Sequence, residues 1–186
     1  MSGFGVPVRV EGMTDISQGL INIQRSLSDL FQKIGDLSLN TTGVLGTTTN
    51  DNAPAGYVGE FVSANILVGA AVPLTSGATS NVTSVLLSAG DWDVGGTVAF
   101  AAQPATTMST LQGAISQVSG VFPTAPGAGG IVSFSLPFIT GSGNGFPVGV
   151  TRISLAAPAS IFLVAACVFA AGTLSAYGFI GARRRR

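Results

Sequence analysis

Ile16, Leu20, Ile23, Leu27, Leu30, Ile34 and Leu37 follow one another at spacings of four and three in strict alternation. This unbroken heptad confines seven branched apolar side chains to one narrow seam of a helix. Such a seam suits the axis of a coiled coil better than the flank of a globular core. With Ile16 at position d, Leu20, Leu27 and Ile34 fall at a, and Ile23, Leu30 and Leu37 at d. Leu at a with Ile at d disfavours the two-stranded coil, so a homotrimer is expected, with a tetramer as the variant. A helix of about 22 residues is roughly 33 Å long and marginal alone in water. Copies of the same chain must therefore hold it. The alternative is an amphipathic helix packed on its own domain. Thr14 and Asp15 supply an N-cap. Gly19 and Gly35 lie inside the helix at a cost of up to about 1 kcal/mol each, and Ile21 and Phe31 stand off the seam.

Only 9% of the 186 residues are charged, and the net charge is zero. The 26 glycines and the many Ser, Thr, Val and Ala suit a β-rich chain that covers much of its surface in subunit contacts. The single cysteine, Cys167, sits in an apolar run and reads as a packed core residue. Without histidine the usual Ser–His–acid triad is excluded. The first residues lack the basic and apolar regions of a secretory signal.

Four segments are expected. Residues 1–13, with Pro7 and Gly12, read as an extended attachment segment. Residues 14–39 form the coiled-coil helix, and the Gly, Thr and Asn stretch of 40–56 is a linker. Residues 57–186 then alternate short β-branched runs with turn residues, predicting an antiparallel, jelly-roll-like β-sandwich of roughly eight strands. Strands are expected at 72–74, 82–87, 92–100, 131–139 and 148–155. In one of them Trp92, Val94, Gly96, Val98 and Phe100 share a face. Residues 105–119 stay open between helix and irregular strand, because Met108, Leu111 and Ile115 are helix-spaced.

Residues 153–182 carry no charge, and Arg183–Arg186 follow. Hydropathy makes 160–182 a transmembrane candidate in a tail-anchored protein. The opposing reading is two strands, 160–169 and 174–180, joined by Ala171–Thr173. A strand apolar on both faces is expected where one face lines the core and the other meets a neighbouring subunit.

The run VTSVLLSAGDWDVGGTVAF (82–100) resembles the strand–turn–strand of bacteriophage fibre and appendage domains. APAGYVGEFV (53–62) and the ending from Ser160 resemble the edges of that domain. More distantly, Gly90–Val94 is similar to a strand of trimeric jelly rolls of the complement-C1q and tumour-necrosis-factor type. The resemblance covers residues 53–186 and implies a virion-surface trimer, a head or tail fibre. Residues 1–40 would attach it to capsid or tail proteins, and the β domain would contact a host glycan or protein. It also favours strands over a membrane span.

Asp91 and Asp93, with Glu60 as the only further acid from Tyr57 onward, could hold Ca²⁺ or serve as an acid/base pair in a glycan depolymerase. The expectation taken forward is a turn with solvent-facing aspartates. Gly141–Gly145 has no helix after it to cradle a phosphate and reads as a loop tip. Asn81–Thr83 fits a glycosylation sequon. Arg183–Arg186 reads as a solvated tail or an inter-subunit contact, with no nucleic-acid partner. No catalytic, metal or cofactor site is expected, and the loops TSGATSN, PTAPGAGG and GSGNG are the candidate recognition elements.

Overall fold

The computed structural model describes residues 11–37, 49, 51–124 and 129–186, with helical side chains at 16 and 18–31. It comprises two units, Met1–Asn50 and Asp51–Arg186. Helix α1 spans Glu11–Leu37. It starts before the expected cap, so Gly12 and Thr14 lie within it. Glu11 and Asp15 then sit in the first turns, where the helix dipole favours negative charge. Ile16, Leu20, Ile23, Leu27 and Leu30 are all exposed in the single chain, Ile16 at 65% and Leu27 at 47%. So are Ile21 and Phe31. The side chains of Ile34 and Leu37, the segment 1–10 and most of the linker lie outside the described residues.

The second unit is mainly β. Its strands are β1 (Phe61–Ile66), β2 (Val72–Pro73), β3 (Thr79–Leu87), β4 (Gly90–Ala102), β5 (Thr107–Ser116), β6 (Val132–Ser135), β7 (Asn144–Leu155), β8 (Ala159–Ala170) and β9 (Leu174–Arg184). One antiparallel sheet has the order β1-β9-β4-β7, with β2 also on β9, and the other has the order β3-β8-β5-β6. Setting aside the short β2, first pairs with last, second with second-last, and so inward to the β5–β6 pair. That is a long hairpin rolled across two sheets, the jelly-roll order.

Side chains alternate across each strand, and the inward set makes the core. Trp92, Val94, Val98 and Phe100 from β4 meet Leu111 and Ile115 from β5 and Ile161, Leu163 and Cys167 from β8. The face expected on β4 is the buried one. The helix-like spacing of Met108, Leu111 and Ile115 has a different origin. The β5–β8 register shifts between Met108 and Thr110, and a bulge turns a three-residue spacing into one face. The segment is an irregular strand. The strand expected over 131–139 stops at Ser135, just before Pro137, which cannot donate to a ladder.

Residues 160–182 are the strands β8 and β9, not a membrane helix, and no helix among the described residues is long and apolar enough to cross a membrane. β8 is central in its sheet. Part of its outward face is covered by the chain itself. Asn81 donates from Nδ2 to Ser119 Oγ at 2.7 Å and accepts from the Gly120 amide at 2.8 Å, which draws segment 117–121 across from β5 to β3. Outward-facing Ala114 and Val164 are fully buried. The outward apolar positions of β8 are thus buried within the chain at Val164 and left exposed at Val168, and the amide of the Asn81 sequon is engaged within the fold.

The β domain also begins earlier than Tyr57. Asn52 donates from Nδ2 to the Phe61 carbonyl and accepts the Phe61 amide, both at 2.8 Å. A side-chain amide thus takes the place of a strand partner at the edge of β1, and 51–56 belongs to the domain.

Candidate functional site

The charged residues from Tyr57 onward gather at one end of the sandwich, where β4 and β1 begin and β7 and β9 finish. The register aligns Phe61 with Arg183, Asp93 with both Arg183 and Arg152, and Trp92 with Arg184. Two acids then become the centres of two ion clusters.

Asp91 is buried. Arg152 holds it in a two-pronged bridge, Nε to Oδ1 at 2.8 Å and Nη2 to Oδ2, and Arg186 Nε reaches the same Oδ2 at 3.0 Å. The hydrogen bond from Arg152 is the main cause holding the Asp91 carboxyl below the ordinary range, and Asp91 in turn raises Arg152. Backbone pairing continues beyond β9, because the Arg185 amide donates to Asp91 O at 2.8 Å.

Glu60 and Arg184 form the second centre, and both are buried. Arg184 Nε donates to Glu60 Oε2 at 2.8 Å, Nη1 to Ala89 O at 2.9 Å, and Nη2 to Ser88 Oγ. Its guanidinium carbon stands 4.3 Å from the Trp92 ring centroid, a cation–π contact strengthened by exclusion of water. The Gly56 amide adds a bond to Oε2 at 2.8 Å. These donors, Arg184 foremost, lower the Glu60 pKa. Gly90 adopts φ +139°, and a Cβ there would overlap Arg184 Nη1. Only glycine leaves room for the guanidinium.

The geometry corrects two expectations. Asp91 is not a solvent-facing turn residue, because two arginines replace its water. Arg184 and Arg186 are not a free tail: Arg184 ends strand β9 inside the domain. Asp93 remains part-exposed, 3.4 Å from Arg185. A general acid needs a raised pKa, whereas Asp91 is lowered, and among the described residues no group of three or more His, Cys, Asp or Glu could hold a metal. The arginine pairings escaped sequence reasoning. The available signal was the near balance of scarce acids against Arg152 and Arg183–Arg186.

The opposite end of the sandwich carries none of these charges. There the Gly77 amide bonds Cys167 O at 2.7 Å and the Gly141 amide bonds Thr106 O at 3.0 Å, which gathers the first and third candidate loops beside turn 171–173. Leu67 and Ile139 are exposed there at 69% and 79%. The second loop is not with them. Gly129 O accepts from the Ile115 amide and Gly130 O from the Gly149 amide, nearer the charged end, and residues 125–128 lie outside the described set.

Cys167 is buried as expected, and burial pushes its thiol up to about 11.

No model of a known protein family matches the chain, and no curated protein does. Among solved structures it is similar to a chain in the structure of infectious bursal disease virus, Gx strain, at 16% identity. That likeness covers 77% of this chain and 36% of that chain, with a TM-score of 0.42. It is also similar to a chain in the VP2 subviral particle of the same virus, at 16% identity, 77% and 38% coverage, and a TM-score of 0.40. The chain thus spans little more than a third of the length of either.

Proposed function

We propose that the protein is a homotrimeric structural appendage of a virion, a head or tail fibre. α1 joins three copies and, with the residues before it, docks on capsid or tail proteins. The β domain is the knob. The observation that carries this reading is the exposed seam. Five large aliphatic side chains in heptad register stand in water in the single chain, and their spacing fits copies of the same helix. The resemblance of residues 53–186 to phage fibre domains supplies the virion setting.

The two ends of the knob differ in charge. The chain enters the domain at the charged end, where Asn52 and Glu60 are held. The loops at the charge-free end, with Leu67, Ile139 and Gly141, meet the host surface. Three copies of a weak site gain avidity on a repetitive glycan or protein. No catalytic role is proposed for Asp91 or Asp93.

The test is light scattering after size exclusion of the full chain without detergent, together with an immunoblot of purified particles. A particle of three chain masses, and the chain present on virions, is the expected result. A soluble monomer absent from particles overturns the proposal.

A further inference from the structure

Arg152 alone matches the Asp91 carboxylate, with parallel hydrogen bonds to both of its oxygens. Further guanidiniums nevertheless stand beside the pair. Arg186 Nε reaches Asp91 Oδ2 at 3.0 Å, and Arg185 Nη1 lies 3.4 Å from Asp93 Oδ1. Asp91, Arg152, Arg185 and Arg186 together line an open cleft of about 320 Å³, with no apolar side chain in the lining. These side chains bring three positive charges against one negative. Asp93 sits outside the lining and takes up part of the surplus only through its long contact with Arg185.

This surplus is held in place. The Arg185 amide donates to Asp91 O at 2.8 Å, and the Asp91 amide donates to Arg186 O at 3.3 Å. The backbone beneath both arginines is thereby fixed to β4, and Arg152 is fixed by its fork on Asp91. The charged ends of the three arginines stay open to water, Arg186 at 76%, while the Asp91 side chain is 7% exposed beneath them. Among the described residues no hydrogen bond uses Arg152 Nη1, Arg185 Nη2 or either Nη of Arg186. The cleft thus offers outward donors to an anion, and the carboxylate that would repel it is covered.

We propose that this cleft binds a phosphate group carried as a dianion, either the free ion or a monoester. Guanidinium forks match phosphate oxygens in pairs. A phosphate monoester carries about −1.5 to −2 charges at neutral pH, which offsets the surplus of the lining. A phosphodiester, with a single charge, offsets half of it. Because the donors are positioned before the ligand arrives, less ordering opposes binding. The site lies within one β domain and does not depend on the association of copies.

The test is calorimetric titration of the full-length chain at constant ionic strength, with inorganic phosphate, glycerol 3-phosphate and dimethyl phosphate as separate probes. The first two should bind saturably, one per chain, and dimethyl phosphate at least about tenfold more weakly. Inorganic phosphate binding as tightly as the ester, or tighter, assigns the site to the free ion. Tighter binding of the ester assigns it to a phosphorylated partner. The Arg185→Gln, Arg186→Gln double variant should bind inorganic phosphate at least about tenfold more weakly. Arg183→Gln removes an exposed arginine outside the lining and should change the affinity by less than about twofold. Arg152 still holds Asp91 in the double variant, and an unchanged near-ultraviolet signal of Trp92 reports the intact fold. If that signal is lost, Arg186→Gln alone carries the comparison. Absence of saturable binding overturns the proposal. So do equal losses in Arg183→Gln and the cleft variant, which would show only a general attraction of anions, and equal binding of dimethyl phosphate.

Discussion

Arg184 stacks on the ring of Trp92 at 4.3 Å and donates to Glu60 Oε2 at 2.8 Å, so one guanidinium closes the end of the core against β1. The two halves of this contact need each other. Trp92 supplies a dry, electron-rich face, Glu60 neutralises the charge that burial would otherwise penalise, and Ser88 and Ala89 take two more of the donors.

Removing the arginine should therefore cost more than losing one ion pair. Arg184→Ala leaves Glu60 buried beside an empty space, and breaking a buried pair in this way costs about 3 kcal/mol or more. Arg184→Lys keeps the charge but not the planar fork that reaches Ser88 and Ala89, and should fall between. Urea unfolding followed by Trp92 fluorescence measures both. Wild-type stability in Arg184→Ala would show that the cluster is ornamental.

The pH dependence has a definite sign. Glu60 and Asp91 are both lowered from ordinary values of 4.5 and 3.8. A depressed carboxylate contributes stability that is fully present above its unfolded pKa and is lost as pH falls through the folded one. The melting temperature should hold from neutral pH to about pH 5 and then decline as the acids protonate. The Glu60→Gln, Asp91→Asn double variant should start lower and decline less. An identical acid slope in the double variant would assign the decline to other groups.

Gly90→Ala tests the space reserved for the guanidinium. A side chain at φ +139° is strained, at a cost on the order of 1–3 kcal/mol, and its Cβ would overlap Arg184 Nη1. Part of the loss should vanish in Arg184→Ala, because the overlap is gone. A double-mutant cycle reads this coupling, and strict additivity would separate the two residues.

Cys167 should be silent toward thiol reagents at pH 8 in the folded protein. Its thiol is buried and pushed up to about 11, so little thiolate exists and none is accessible. Titration with an aromatic disulfide should show no free thiol until denaturant is added. Rapid labelling of the native chain would mean that β8 opens locally.

For the helix, Leu27→Asp should convert trimer to monomer. Each buried leucine contributes about 1.5–3 kcal/mol. Losing three per trimer weakens assembly by on the order of a thousandfold or more. Sedimentation velocity at micromolar concentration should show one chain mass, with the near-ultraviolet signal of Trp92 unchanged. A persistent trimer would move the association to the knob.

Much of the β domain was legible before any fold was known. The alternation of Trp92, Val94, Val98 and Phe100 marked the buried face of β4. The glycine and asparagine clusters marked turns, and the break at Ala171–Thr173 divided an apolar run that hydropathy alone would have placed in a membrane. Where reading failed, a non-local contact was responsible. The spacing of Met108, Leu111 and Ile115 imitates a helix because a bulge against β8 shifts the register. The outward apolar residues of β8 suggested a neighbouring subunit; Asn81 holds the chain's own segment against part of that face, and Val168 stays exposed.

Local periodicity is a property of adjacent residues, so the sequence by itself determined that residues 16–37 are helical with one apolar seam, and that the strand around Trp92 buries alternate side chains. It could not determine where the charges go. Glu60 and Arg184 are 124 positions apart, and a carboxylate carries no address for its partner. Only the antiparallel register that sets Phe61 beside Arg183, and Trp92 beside Arg184, turns a run of arginines into the closure of a core.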